Sequence, residues 1–571
     1  MKLRLPIGFV LGCICAAVLA SNASALQMYT PDYNDDQIIG IDFKGVAPAT
    51  ALPGSPWTIS NGGEWAIGIN RDGVRAVTSY GFTPSIKPFT IAADGSITSP
   101  QPTLVGTGGF ALAMSPTSDL VYFLGSSAPY GITVARQAAD GSLTYIPGSP
   151  FASGGAFGDL AITPDGKYLF ASGSPAGTVR RFSIAADGSL TAIGSATVAG
   201  AGVMQTSPDG RFLYVLGSSG NDFVHCLAIG SDGSLTEVPP AYDVGDSSTG
   251  KIAVSPNGSR LYLPNSNLDQ IVTLASSSTG VLSLVGSTPV PDDYEAAAAS
   301  ATGELFFVRT NAGGGLYYSK PDPVTTIPPV PVQLVAENWN YGTRTAFRPG
   351  TGGTAGALKI TPNAKPLSFT LDASGSTGFD RLDWSTGGIA EVTRTSATRA
   401  KFDAPKPGVI PISVKAVDSS GCASDLLYTG QLFVCTGNPN AIKSASYDTP
   451  PWITSLKVSP SKVTSRTKIK FKLTEKASVS FYAQKPLPGR TVGKSCKKQT
   501  SKNKKAKKCT RWVRASKTFR KNGKAGRTNS VKFTGKVGKK RLANGSYRLY
   551  AVATDSAKGK GPAKTARFRI K

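Results

Sequence analysis

The sequence predicts an all-β chain: a seven-bladed β-propeller followed by two smaller β modules. Three observations carry this prediction. A phrase of the "SPDG" type recurs along the first three fifths of the chain, closing at Gly73, Ser118, Gly166, Gly210, Gly258, Gly303 and Gly350, at intervals of 44 to 48 residues. A second phrase, "DGSLT" and its variants, keeps the same beat at Gly95, Gly141, Gly188, Gly233 and Gly280. Short apolar runs rich in Val, Ile, Phe and Tyr lie between them, and a β-patterned period of roughly 40 to 50 residues is what propeller blades produce.

Each blade can be read from its turns. In "AITPDGKYLFASGSPAGTVRRFSIAADGSLTAIGS", which begins at Ala161, Pro presets one dihedral and Gly accepts a positive one, so both phrases join neighbouring strands tightly. The expected strands are an inner one ending at Thr163, a second over 167–172, a third over 179–185 and an outer one over 189–193. Seven copies imply seven blades over residues 26–350. The segment "QMYTPDYNDDQIIGIDFKG" has no inner strand before it, and "TRTAFRPG" is an inner strand with nothing after it, which predicts one blade stitched from both ends. The beat makes "KPDPVTTIPPVPVQL" a degenerate outer strand, where Pro is tolerated.

With "SPDGRFLYVLG" at Ser207 and the "DGSLT…GSP" phrases, residues 27–350 resemble the YVTN and lactonase-like seven-bladed propellers. The resemblance implies the fold and leaves the chemistry open, since such propellers include lactonases, cyclases and non-catalytic surface proteins. A lactonase of the phosphogluconolactonase type is expected to carry "P-H-x-H" ahead of an "SPDG" strand. Here "GAFGDLAITPDG" and "GAGVMQTSPDG" hold no histidine, and the single histidine, His225, falls on a third strand as a packed or rim residue. No catalytic residue carries over.

Residues 357–436 resemble a PKD domain, an Ig-like sandwich, through "PLSFTLDASGST", "LDWSTGG", "KFDAPKPGVIPISVKAVDSSG" and a last strand "LLYTGQLFV", with Trp384 as a core aromatic. A polar connector, "TGNPNAIKSASYDTPP", leads on. Residues 452–571 alternate apolar and polar in "KIKFKLTEKASVSFYAQ" and "GSYRLYAVATDSAKGKG", as half-buried strands do. That module resembles a basic, two-cysteine, Ig-like or fibronectin-like domain at the C-terminus of secreted actinobacterial proteins.

Lys2 and Arg4 precede the apolar run "IGFVLGCICAAVLA" and a small-x-small site at Ala23 to Ala25, so residues 1–25 read as a signal peptide and the protein as secreted or cell-surface. The run is shorter than the ~20 residues a span requires, and no transmembrane segment is expected. Beyond the leader, Cys226, Cys422, Cys435, Cys496 and Cys509 remain. Their spacing suggests two disulfides, Cys422 with Cys435 and Cys496 with Cys509, and whether the first pair can bridge is a matter of geometry. With one histidine, no C-x-x-C, and "PDYNDDQ" and "PDDYE" read as solvated turns, neither metal nor cofactor is expected.

Charge is unevenly spread. Residues 451–571 hold 36 Lys and Arg against Glu475 and Asp555, a net of +34, so within a whole-chain charge of +27 the first 450 residues carry −7. Lys497, Lys498, Lys502, Lys504, Lys505, Lys507 and Lys508 crowd between Cys496 and Cys509 and read as an anion-binding surface. The expected partner is an anionic cell-envelope polymer or glycan. Nucleic acid is less favoured, because Trp512 and Tyr547 are too few for a stacking platform. At the propeller mouth, offsets from the repeats bring Glu64, Trp65, Asp159, Lys251, Glu295 and Arg344 onto one ring, where they could hold a small ligand or peptide. The reading is therefore a non-catalytic surface or matrix binding protein. Its alternatives are a lactonase-like hydrolase of a small lactone and extracellular nucleic-acid binding through the tail.

Overall fold

The structure, a computed structural model, describes residues 26–571 apart from 33–34, 46, 59–63, 81–84, 99–101, 106–108, 110, 126–129, 154, 156–157, 174–176, 220, 246–250, 292, 310–313, 337–344, 366 and 494. Residues 1–25, the expected leader, lie outside it. The described chain divides into two compact units: the propeller with Gly378–Arg381 and Ala416–Ala441, and a second unit of Ala355–Thr377, Leu382–Lys415 and Ile442–Lys571. Among the described residues no helix is long and apolar enough to cross a membrane.

The propeller consists of seven antiparallel sheets. Blade 4 runs Leu160–Ile162, Tyr168–Gly173, Thr178–Ile184 and Leu190–Thr197, close to the strands expected from the sequence. The Pro-rich stretch does end in the outer strand of blade 7, Val332–Ala336. In the "ITPDG" turn, the Gly166 amide donates to the Thr163 carbonyl, and Asp165 accepts from the Thr163 hydroxyl at 2.6 Å and from the Lys167 amide at 3.1 Å.

The second phrase recurs for a different reason: its turn is where one blade touches the next. Gly188 has φ +97°, and a Cβ there would stand 2.2 Å from Leu120 of blade 3. At Gly233, φ +76°, it would stand 2.5 Å from the Tyr168 ring of blade 4. Both the dihedral and the close approach exclude a side chain. Hydrogen bonds follow the same path, the Tyr168 hydroxyl donating to the Ser231 carbonyl at 2.7 Å and Arg211 to the Ser278 carbonyl at 2.9 Å.

The ring closes as expected. Ala346–Phe347 pairs with Leu26–Asp32, with Met28 opposite Phe347 and Tyr29 opposite Ala346, so residues from both ends of the propeller sequence share blade 1. Phe347 is 2 % exposed and meets Phe306 edge-on at 5.6 Å, while Arg348 donates to the Gln27 side chain at 2.8 Å.

In the second unit, residues 359–377, 382–415 and 442–448 contribute to two facing sheets. Lys359–Pro362, Ser368–Asp372, Arg399–Asp403 and Val392–Ser396 make one, and Val409–Val417 with Ile442–Asp448 lie in the other. Phe369, Leu371, Phe402, Ile410 and Ile412 fill the space between, with Trp384 against them. Two expectations change here. Ile442–Asp448, read as connector, is a strand, inconspicuous because none of its residues is fully buried. Leu427–Tyr428 and Phe433–Cys435, read as the last strand of this module, are part of the propeller unit instead. The C-terminal residues form two larger sheets around Ile469, Phe471, Phe481, Leu549 and Phe568, and a two-stranded hairpin. The 16-residue strand Ala477–Val492 pairs in turn with four partners.

Replacing Phe347 by Ala removes a large side chain at the one seam between the propeller's ends. It is expected to cost about 3–5 kcal/mol, seen as a lowered propeller transition in calorimetry with the C-terminal transition unchanged.

Candidate functional site

The inner strands of a closed ring turn one edge toward the central channel, and their amides there need partners. A hairpin that the sequence reading assigned elsewhere supplies them. Cys422 and Cys435 form a disulfide with Cα atoms 5.6 Å apart, so the pairing left open by the sequence is made. Beyond this staple Leu427–Tyr428 pairs with Phe433–Cys435, and the tip, residues 429–432, enters the channel. At the ends of three inner strands, the amides of Met114, Ile162 and Thr206 donate to the carbonyls of Gln431 (3.0 Å), Gly430 (2.7 Å) and Thr429 (3.3 Å). The Gln431 amide group donates back to the Leu160 carbonyl at 2.5 Å, and the Tyr428 hydroxyl to the Met114 carbonyl. Tyr428 and Phe433 are fully buried among the residues of blades 3 and 4.

Of the predicted mouth residues, the structure joins two. Lys251 Nζ lies 2.5 Å from Asp159 Oδ2, reaching from blade 6 past blade 5 to blade 4, and the residues are 8 % and 2 % exposed. The same carboxylate accepts from the Met204 amide at 3.1 Å and, through Oδ1, from its neighbour Leu160 at 2.9 Å. The charges thus neutralise one another within a web of backbone donors. Beside them Gln205, Lys251 and Thr345 of the ring and Thr429 and Gln431 of the hairpin line a cavity of 40 Å³, room for about three waters.

Glu64, Trp65 and Glu295 are placed by backbone alone, their side chains falling outside the described part, and Arg344 lies outside it altogether. Strand pairing shifts register between Glu64 and Ala66 and between Tyr294 and Ala296, equivalent points of blades 2 and 7. His225 pairs with Glu237 at 2.6 Å on the outer half of blade 5, away from the channel.

In the C-terminal module Cys496 and Cys509 are bonded, and all seven lysines of the intervening loop are exposed. Cys226 is buried and free, its thiol pushed up to about 12 by burial. Burial, with Asp448 and Asp555 nearby, pushes Glu475 up to about 7, so one of this module's two carboxylates is only partly ionised at neutrality. Lys485, Arg514, Lys517, Lys539, Lys540 and Arg541, which the sequence reading did not single out, surround a cleft of 1080 Å³. Their scatter over 57 positions left no local signal.

No protein-family model matches the chain. No curated protein matches it either. Among solved structures, it is similar to a candidate 6-phosphogluconolactonase from Bacteroides fragilis, at 20 % identity over 57 % of this chain and 99 % of that one, with a TM-score of 0.47. A periplasmic gluconolactonase from Pseudomonas aeruginosa matches at 17 % identity over 57 % and 99 %, with a TM-score of 0.48. A functionally unknown protein from Desulfotomaculum acetoxidans matches at 18 % over 56 % and 98 %, with a TM-score of 0.45.

Lys251→Met strands a buried carboxylate and is expected to destabilise the propeller by about 3–5 kcal/mol. The double change Asp159→Asn with Lys251→Met, which removes both charges and keeps an acceptor for the Met204 and Leu160 amides, recovers part of that loss. Paired thermal melts of the three proteins read both effects.

Proposed function

We propose that this is an exported binding protein of the cell surface or matrix, in which the propeller is a rigid scaffold offering its mouth to a ligand and the C-terminal module holds an anionic envelope polymer. The observation that carries the reading is the charge of that module, 36 cations against two carboxylates, displayed on a sheet stapled by Cys496–Cys509. The leader-like residues 1–25 and the two disulfides support export. A hairpin tip lodged in the channel supports a scaffold role for the ring.

Binding of this kind is screened by salt. Raising salt from about 0.05 to 0.5 M is expected to release the full-length protein from cell envelopes, and a chain lacking residues 452–571 is expected not to bind them at low salt. Retention that ignores ionic strength overturns the attachment reading.

A second reading is hydrolysis of a small lactone, the activity named for two of the solved structures this chain is similar to over 57 % of its length. Glu295 and Arg344 are the mouth residues we assign to that chemistry, since Asp159 and Lys251 already share a buried ion pair. If it holds, gluconolactone hydrolysis by the full chain exceeds the buffer rate and falls at least about 100-fold in Glu295→Gln, the scale of a lost general acid or base. A rate equal to buffer removes it.

A further inference from the structure

The basic module carries its charge in two different settings. The seven lysines between the cysteines are exposed on a loop with one turn of 3₁₀ helix, Ser501–Asn503. The cleft is concave and built on strands. Lys485 projects from Ala477–Val492, Arg514 from Lys508–Arg514, Lys517 from the link that follows, and Lys539, Lys540 and Arg541 from the small hairpin of Lys536–Val537 and Lys540–Arg541. Val537, Leu542 and Tyr547 form its apolar floor, and among the described residues no carboxylate lines it. Like charges gathered around a low-dielectric concavity repel one another in the empty state and focus their field on an anion.

A second observation concerns how guanidinium groups of the same sheet are held. Arg514 lies over the Tyr482 ring at 4.7 Å and is fixed by donating to the Ser516 carbonyl and the Thr518 hydroxyl. Tyr482 stacks on Tyr550 at 4.7 Å. In the next rank Arg548 lies over Trp512 at 4.5 Å, with its Nε donating to Gln484 at 2.6 Å. These guanidinium groups are held by rings and amides in place of carboxylates, so their charge stays available. Planar, pre-oriented guanidinium groups suit the two-oxygen face of a carboxylate or phosphate.

Building on the envelope-attachment reading, we infer that the cleft lined by Lys485, Arg514, Lys517, Lys539, Lys540 and Arg541 is a specific binding site for an anionic polysaccharide. Several cations around one open cleft of 1080 Å³ call for a chain bearing several anionic groups, beyond a single small anion. Nucleic acid fits less well. Its bases need open aromatic faces, and here Arg548 covers Trp512 while Arg514 and Tyr550 cover Tyr482.

The test uses full-length protein and calorimetry at about 0.15 M salt, where exposed charges are screened beyond roughly 8 Å. Polygalacturonate is the carboxylate probe, a phosphomannan the phosphate probe, neutral dextran the control and single-stranded oligothymidine the competitor. Two triple variants remove the same charge: Arg514→Gln, Lys539→Gln, Arg541→Gln in the cleft, and Lys502→Gln, Lys505→Gln, Lys507→Gln in the loop. The cleft triple is expected to weaken binding of the better polysaccharide by at least about tenfold, as loss of charge-assisted hydrogen bonds requires, and the loop triple by less than about threefold. The double variant Lys539→Gln, Arg541→Gln leaves Arg514 on its ring and is expected to show most of the loss, which guards against misfolding of the triple. Equal losses in both triples overturn the cleft while leaving envelope attachment standing. Tighter binding of the oligothymidine overturns the polysaccharide assignment. Failure of the unmodified protein to bind any polyanion overturns the cleft and the attachment reading together.

Discussion

The pairing of Ala346–Phe347 with Leu26–Asp32 is the constraint on which the propeller rests. Once the ends share a sheet, blade 1 has its inner strand and the ring is complete, but seven inner strands face a common axis with no eighth strand to meet them. Unpaired backbone amides in a closed space are costly. The tip at residues 429–432 answers three of them, at Met114, Ile162 and Thr206, and does so with carbonyls held in place by the Cys422–Cys435 staple. Gly430 shows how close the fit is, for a Cβ there would stand 2.8 Å from the Thr206 hydroxyl oxygen.

Two electrostatic regimes coexist in one chain. In the channel a cation and a carboxylate are taken out of water and matched, Lys251 with Asp159, and the surrounding amides complete the carboxylate's bonding. Such a pair fixes geometry more than it adds stability. In the C-terminal module the cations outnumber carboxylates so heavily that matching is impossible. Stability comes there from the apolar faces of the strands, as in Gly545–Thr554, where alternate residues are buried. Aromatic rings and backbone carbonyls hold the arginines instead.

Much of the fold was legible because its signals are local. Turns of the "PDG" and "DGS" type recur along the propeller sequence, and at Gly188 and Gly233 the glycine of the second is demanded by contact with the neighbouring blade as well as by its own dihedral. The site was less legible. Repeat offsets placed Asp159 and Lys251 on one ring, yet only the side-chain geometry makes them a buried ion pair. The run "LLYTGQLFV" is apolar because it is buried in a channel, a reason that alternation alone cannot distinguish from burial in a sandwich. Ile442–Asp448 failed in the opposite direction, since a strand with no fully buried residue has no hydrophobic rhythm.

From its sequence alone this protein is a repeated β unit closed by its own ends, carrying a strongly basic C-terminal module with two cysteines. Those features depend on contacts at fixed short offsets and on composition. The tertiary structure decided where the stapled hairpin goes, which charges meet and which cations gather around a cleft. Gln431 finds the Leu160 carbonyl from 271 positions away, and Lys251 finds Asp159 from 92. Partners that far apart are selected by the assembled shape of the ring, which no window of sequence contains.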